Sequence, residues 1–136
     1  MSLQDRLSAL ITAIGADFKK TTKSLVYSAS GTLTVRTGVS KIPMQGSGTI
    51  VAVKAYVNTA PTGASLIVDV NKNGTTIFGT QSNRPTVAAG ANAATVGANS
   101  VTTYVDGDLL SVDIDQIGST IAGSDLVVVV YVLRTT

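Results

Sequence analysis

Eight consecutive apolar residues near the end of the chain, Leu126 to Leu133, constrain its fold more than any other segment. The run is too short to cross a bilayer, which takes about 20 residues as a helix. Its valines favour an extended backbone. In a strand, Leu126, Val128, Val130 and Val132 project to one side and Val127, Val129, Tyr131 and Leu133 to the other. Both rows ask for burial. A two-layer sandwich covers only one face of each sheet, so the second row needs a further layer, and a neighbouring subunit is the simplest source. Self-association through Val127, Val129, Tyr131 and Leu133 is therefore expected.

Most of the chain carries a weaker form of the same period-2 signal. Strands are expected at Ser24–Ser28, Thr32–Thr37, Gly48–Asn58, Ser65–Asn71, Thr75–Gly79, Val101–Tyr104, Leu109–Ile117 and Leu126–Arg134. The core-facing sets are Val51, Val53, Ala55 and Val57; Leu66, Val68 and Val70; and Leu110, Val112 and Ile114. Asp69 and Asn71, and Ser111, Asp113 and Asp115, face away. Such half-buried strands belong to antiparallel sheets. Turn sequences separate them: Ala60-Pro61-Thr62-Gly63, Asn71-Lys72-Asn73-Gly74, Asp106-Gly107-Asp108 and Ala122-Gly123-Ser124-Asp125. Asn73-Gly74 favours a tight hairpin. The stretch from Thr80 to Ser100 is dominated by Ala, Gly and Asn and has room for one short strand in a long loop. The predicted fold is mainly β, an antiparallel sandwich of jelly-roll type.

The first residues follow another period. Residues 2 to about 20 read as a helix, with Ser2 as N-cap and Asp5 near the positive helix start. Leu3, Leu7, Leu10 and Ile14 form a seam with coiled-coil spacing, widened by Ile11 and Phe18. A helix this short is marginal alone, so the seam needs a partner: sister helices, its own β-domain, or a larger assembly. KTTKS at 20–24 reads as a linker. The expected division is a helix and linker over 1–23, serving as anchor or trimer stalk, and a β-domain over 24–136.

Only 13% of the residues are charged, and every acidic residue is Asp. A surface so poor in charge is covered by Thr, Ser, Asn and Gly, or is buried against another subunit. Lys19, Lys20 and Lys23 cluster at the expected helix end, where the dipole favours cations; one small cluster is no nucleic-acid stripe. No targeting segment is visible, and no membrane insertion is expected.

The chain has neither Cys nor His. That removes disulfides, thiolate metal sites and the commonest general base. No nucleophile–base pair stands out and no Gly-rich phosphate loop links a strand to a helix. Asp69-Val70-Asn71-Lys72-Asn73-Gly74 matches the first half of a calcium loop, but the closing position holds Thr80 in place of Glu. A hairpin turn accounts for it. Asp106 and Asp108 fit a turn, and Asp113 and Asp115 a solvated strand face. Neither catalytic residues, a cofactor nor a metal are expected.

The opening MSLQDRLSALITAIGADFKK resembles the N-terminal helices of tailed-bacteriophage surface proteins. The stretches GTIVAVKAYVNTAPTGASLIVDVNKNGTTIF, NRPTVAAG and GDLLSVDIDQIGSTIAGSDLVVVV resemble a β-domain of phage tail fibres, head fibres and capsid decoration proteins. The resemblance implies a homotrimeric jelly-roll-like knob on the virion surface, made in the host cytoplasm and bound to other virion proteins, the major capsid protein foremost. The long shaft of a fibre is missing, which favours decoration. The alternative is a small receptor-binding module that grips a host-surface glycan or protein.

Calcium chelation is expected to leave the melting temperature unchanged. A metal bound only to the native state, at a hundredfold excess over its Kd, would add about 2.7 kcal/mol, worth several degrees in a domain of this size. A drop on chelation that added calcium restores would point to Asp106, Asp108, Asp113 or Asp115.

Overall fold

The computed structural model describes residues 1–18 and 20–135. One helix, α1 (Leu3–Phe18), precedes nine strands: β1 (Lys20–Thr32), β2 (Lys41–Pro43), β3 (Ser47–Thr59), β4 (Leu66–Lys72), β5 (Thr75–Thr76), β6 (Thr86–Val87), β7 (Thr103–Tyr104), β8 (Leu109–Gln116) and β9 (Ser124–Thr135). They form two antiparallel sheets. The first has the order β1-β9-β3-β7; the second has the order β2-β8-β4-β5, with β6 also paired to β4. One sheet curls into a half-barrel.

The apolar run forms β9 at the middle of the first sheet. It pairs with β1 from Lys20↔Thr135 to Thr32↔Ser124 and with β3 from Ser47↔Thr135 to Thr59↔Ser124. Leu126, Val128, Val130 and Val132 all point inward and are buried. Leu66, Val68 and Val70 of β4 and Leu110, Val112 and Ile114 of β8 meet them from the second sheet. Tyr27 spans the core: its hydroxyl donates a long 3.4 Å hydrogen bond to the Leu110 carbonyl of the opposite sheet, and burial pushes its pKa up.

The helix start and the hairpin follow their local chemistry. The Asp5 N–H donates to Ser2 Oγ at 3.1 Å, and the Ser2 N–H donates back to the Asp5 carboxylate at 3.2 Å. This is a reciprocal capping box with Asp in the usual Glu place. The Ser2 hydroxyl, which donates to the same carboxylate at 2.7 Å, and the Ser2 N–H together hold the Asp5 pKa below the ordinary carboxylate range. Asn73 and Gly74 have φ of 52° and 83°, the left-handed pair that a two-residue hairpin loop requires.

Four expectations need correction. Residues 20–24 are strand instead of linker, because Lys20 to Ser24 pair with Thr135 to Tyr131 of β9. Lys20 and Lys23 therefore do not end a helix; Lys19 and the side chain of Phe18 lie outside the described residues. Thr32–Thr37 is not a strand: β1 ends at Thr32, and the chain crosses to the second sheet through a lone Arg36↔Ile114 bridge and the short β2. Val51 is not in the core. Ile50 pairs with Val132 and Ala52 with Tyr131, so Val51 is the extra residue of a β-bulge. It is 58% exposed, while Ile50 is 3% exposed. Finally, only Thr75–Thr76 and Thr103–Tyr104 pair as strands where longer ones were expected.

The Ala-, Gly- and Asn-rich stretch closes one side of the molecule. Its one short strand, β6, pairs with β4 of the second sheet. Farther on, the Ala94 N–H donates to the Ala55 carbonyl and the Val57 N–H to the Asn92 carbonyl, both at 2.9 Å, along β3 of the first. Phe78 and Ile77 lie fully buried beneath it. Truncating Phe78 to Ala is expected to cost about 3–5 kcal/mol, measured as a lower urea midpoint with an unchanged slope.

Candidate self-association surface

Alternation along β9 sends Val127, Val129, Tyr131 and Leu133 to the outer face of the first sheet, where each is only half-buried. The register brings neighbours to them. Val129 lies between Val26 of β1 and Lys54 of β3, Val127 between Ser28 and Tyr56, and Tyr131 between Ser24 and Ala52. Val26 and Tyr56 are exposed. The Lys54 ammonium sits 5.7 Å from the Tyr131 ring centroid, a contact worth about 0.5–1 kcal/mol at an exposed site. The result is an apolar strip along the sheet, bordered by small hydroxyl side chains. Val26, Lys54 and Tyr56 escape a reading of the sequence because only strand register sets them beside β9.

Leu3, Leu7, Leu10 and Ile14 sit on α1 and are 83, 54, 56 and 45% exposed. Ile11 is exposed beside them. The helix meets the β-domain chiefly at β1, and among the described residues its side-chain hydrogen bonds stay within it. Of the three partners open to the seam, the chain's own β-domain does not cover it. Helix seam and sheet strip are therefore two separate uncovered surfaces. A third feature adjoins them: among the described residues β1 pairs only with β9, so its other edge is open, a ready template for pairing with another chain.

The acidic residues have other uses. Asp69 and Asn71 face away from the core, but both are buried rather than solvated. One Asp69 oxygen accepts the Val70 N–H and the Thr76 hydroxyl, each at 2.7 Å. Asp113, opposite Asp69 in the register, accepts the Gly38 N–H at 2.6 Å and the Asn71 amide at 2.8 Å. Asn73 turns toward Asp108. The oxygens of the calcium-like segment thus diverge, and no group of three or more acidic side chains that could hold a metal occurs among the described residues. Asp115 sits at an irregularity in the β4–β8 pairing and forms an ion pair with Arg84. Lys41 lies opposite Ser111, yet no hydrogen bond joins a lysine to a serine among the described residues.

No known protein family, curated protein or solved structure matches this chain.

Burial raises the Asp69 pKa; the bonds from Thr76 and Val70 act against it, Asp115 adds to it and Arg84 opposes it. Its ionised form is thus less favourable folded than unfolded. The stability linked to this group is fullest below the ordinary carboxylate pKa and falls as pH rises through the folded value. Asp69→Asn keeps the accepting oxygen and removes the charge. The variant is expected to melt above the parent at pH 7, with the gap closing by pH 3. A variant that melts lower at both pH values would contradict this account.

Proposed function

We propose that this chain is a non-enzymatic structural protein of a tailed-phage particle, a homotrimeric surface appendage that decorates the capsid. The observation that carries the reading is the helix seam of Leu3, Leu7, Leu10 and Ile14, which stays exposed after the rest of the chain has folded. A seam with this spacing gains its burial from other helices. In the trimer, three helices pack seam to seam as a stalk or dock on the major capsid protein. The strip of Val127, Val129, Tyr131 and Leu133 gains its missing layer from a neighbouring subunit, and the β-domain forms the jelly-roll-like knob. The virion setting rests on the sequence resemblance described above. The absence of His and Cys supports a scaffold over an enzyme.

A second reading, a small receptor-binding tail-fibre module, has one feature in its favour. A polar cleft of about 290 Å³ on the second sheet is lined by Lys41, Asn71, Ser111 and Asp113 among others. It offers the donors and acceptors that a host-surface glycan would need.

Sedimentation equilibrium at micromolar concentration is expected to give the trimer mass. Leu7→Asp with Leu10→Asp should lower association by a hundredfold or more, since burying one leucine is worth about 1.5–3 kcal/mol, and should leave the β-sheet circular dichroism intact. A monomeric parent would sink the reading. Binding of the purified protein to host cells, in place of particles stripped of it, would favour the receptor-binding alternative.

A further inference from the structure

The inward row of β9 does not end in an apolar residue. Two positions beyond Val132, on the same face, stands Arg134. Its neighbour row on β1 behaves alike: Tyr27 and Leu25 face the core, and the next position on that face is Lys23, paired directly with Val132. Two cations thus continue the core-facing rows at the end of the first sheet that adjoins the helix, Lys23 exposed and Arg134 half-buried. They line a cleft of about 260 Å³, with Leu25, Met44 and Val132 as an apolar base and Gln45 and Tyr104 beside them. Among the described residues, no acidic residue lines it.

Arg134 is held there by construction. Gly46, at φ 70°, leaves the space that the guanidinium fills: a Cβ at that position would lie 2.7 Å from Nε. The loop bearing Gly46 is tied to the turn before β8. The Met44 N–H donates to the Asp108 carbonyl at 2.7 Å, the Gly107 N–H to the Met44 carbonyl at 2.9 Å, and the Gly46 N–H to the Asp106 carboxylate at 2.7 Å. Yet Arg134 Nε is buried without a hydrogen-bond partner among the described residues. Ion pairs join Lys72 to Asp108 and Arg84 to Asp115, but among the described residues none includes Arg134 or Lys23. A buried charged donor left unpaired is costly, and native structures seldom keep one without a use.

We infer that this cleft binds a single oxyanion, a carboxylate or phosphate carried on a small apolar body. The group lies between Arg134 and Lys23, accepting from the guanidinium fork, while its body rests on Leu25, Met44 and Val132. The cleft has room for one small acid or one acidic side chain, not for an extended polymer.

The full-length protein, labelled with 15N, is titrated at constant ionic strength with benzoate, with inorganic phosphate and with chloride. Saturable shifts of the Gln45 and Tyr104 amides and of the Arg134 Nε–H are expected with benzoate or phosphate and not with chloride. A stronger response to benzoate identifies the apolar base as part of the site, and a stronger response to phosphate identifies the cation pair as its main element. Lys23→Gln, at an exposed position that the fold tolerates, should weaken binding about tenfold, and Arg134→Gln should abolish it. Linear, unsaturated shifts with both acids would overturn the inference. So would equal responses to all three anions, or an unchanged affinity in Lys23→Gln.

Discussion

The fold depends on the placement of β9 between β1 and β3. Both of its backbone edges are paired along nearly all of its length, so its N–H and C=O groups are satisfied without help from solvent. Only a strand in that position can be apolar on both faces without exposing unpaired backbone. Its inward row supplies the floor of the core, and Tyr27, Val53 and Ala55 from the flanking strands complete it. The irregularities fall on those flanking strands, between Ala29 and Thr32 on β1 and between Ile50 and Ala52 on β3. Bulges bend and twist the strand that carries them, and here they leave β9 without a bulge, its one left-handed residue being Asp125 (φ 55°) at its start.

The second sheet solves the opposite problem. Its outer face is polar and partly covered, with Asp69, Asn71 and Ser111 buried on it, and short side chains supply partners for its carboxylates. Thr76, Asn71 and backbone N–H groups take up the oxygens of Asp69 and Asp113. A chain with so few charges relies on Thr, Asn and Ser for these duties. They bond locally and lose little side-chain entropy when fixed, unlike the long ionic residues.

Charge scarcity also bears on assembly. An uncovered helix seam, an apolar sheet strip and an open edge strand are each a hazard to a lone monomer, and little like-charge repulsion opposes their meeting in other copies. Docking them against defined partners removes the hazard and supplies the layer that β9 lacks. The same physics therefore links the stability of the folded chain to its proposed place in a larger particle.

The sequence by itself determined the local features. Alternation over Leu66–Val70 and Leu110–Ile114 assigned the core faces, the capping pair Ser2 and Asp5 set the helix start, and Asn73-Gly74 set the hairpin, because each depends on residues a few positions apart. Tertiary structure alone decided the rest. Lys20 to Ser24 look like a linker until β9, from the far end of the chain, offers them a ladder. Val51 reads as core until one extra residue in the register turns it outward. Asp69 reads only as facing away from the core until the fold buries it, with its oxygen bonded to the Thr76 hydroxyl and the Val70 N–H. Lys23 and Arg134 become neighbours only through pairing between the first strand and the last. In each of these strand pairings the deciding contact is distant in sequence, and no local pattern encodes which distant strand will be the partner or where its register slips.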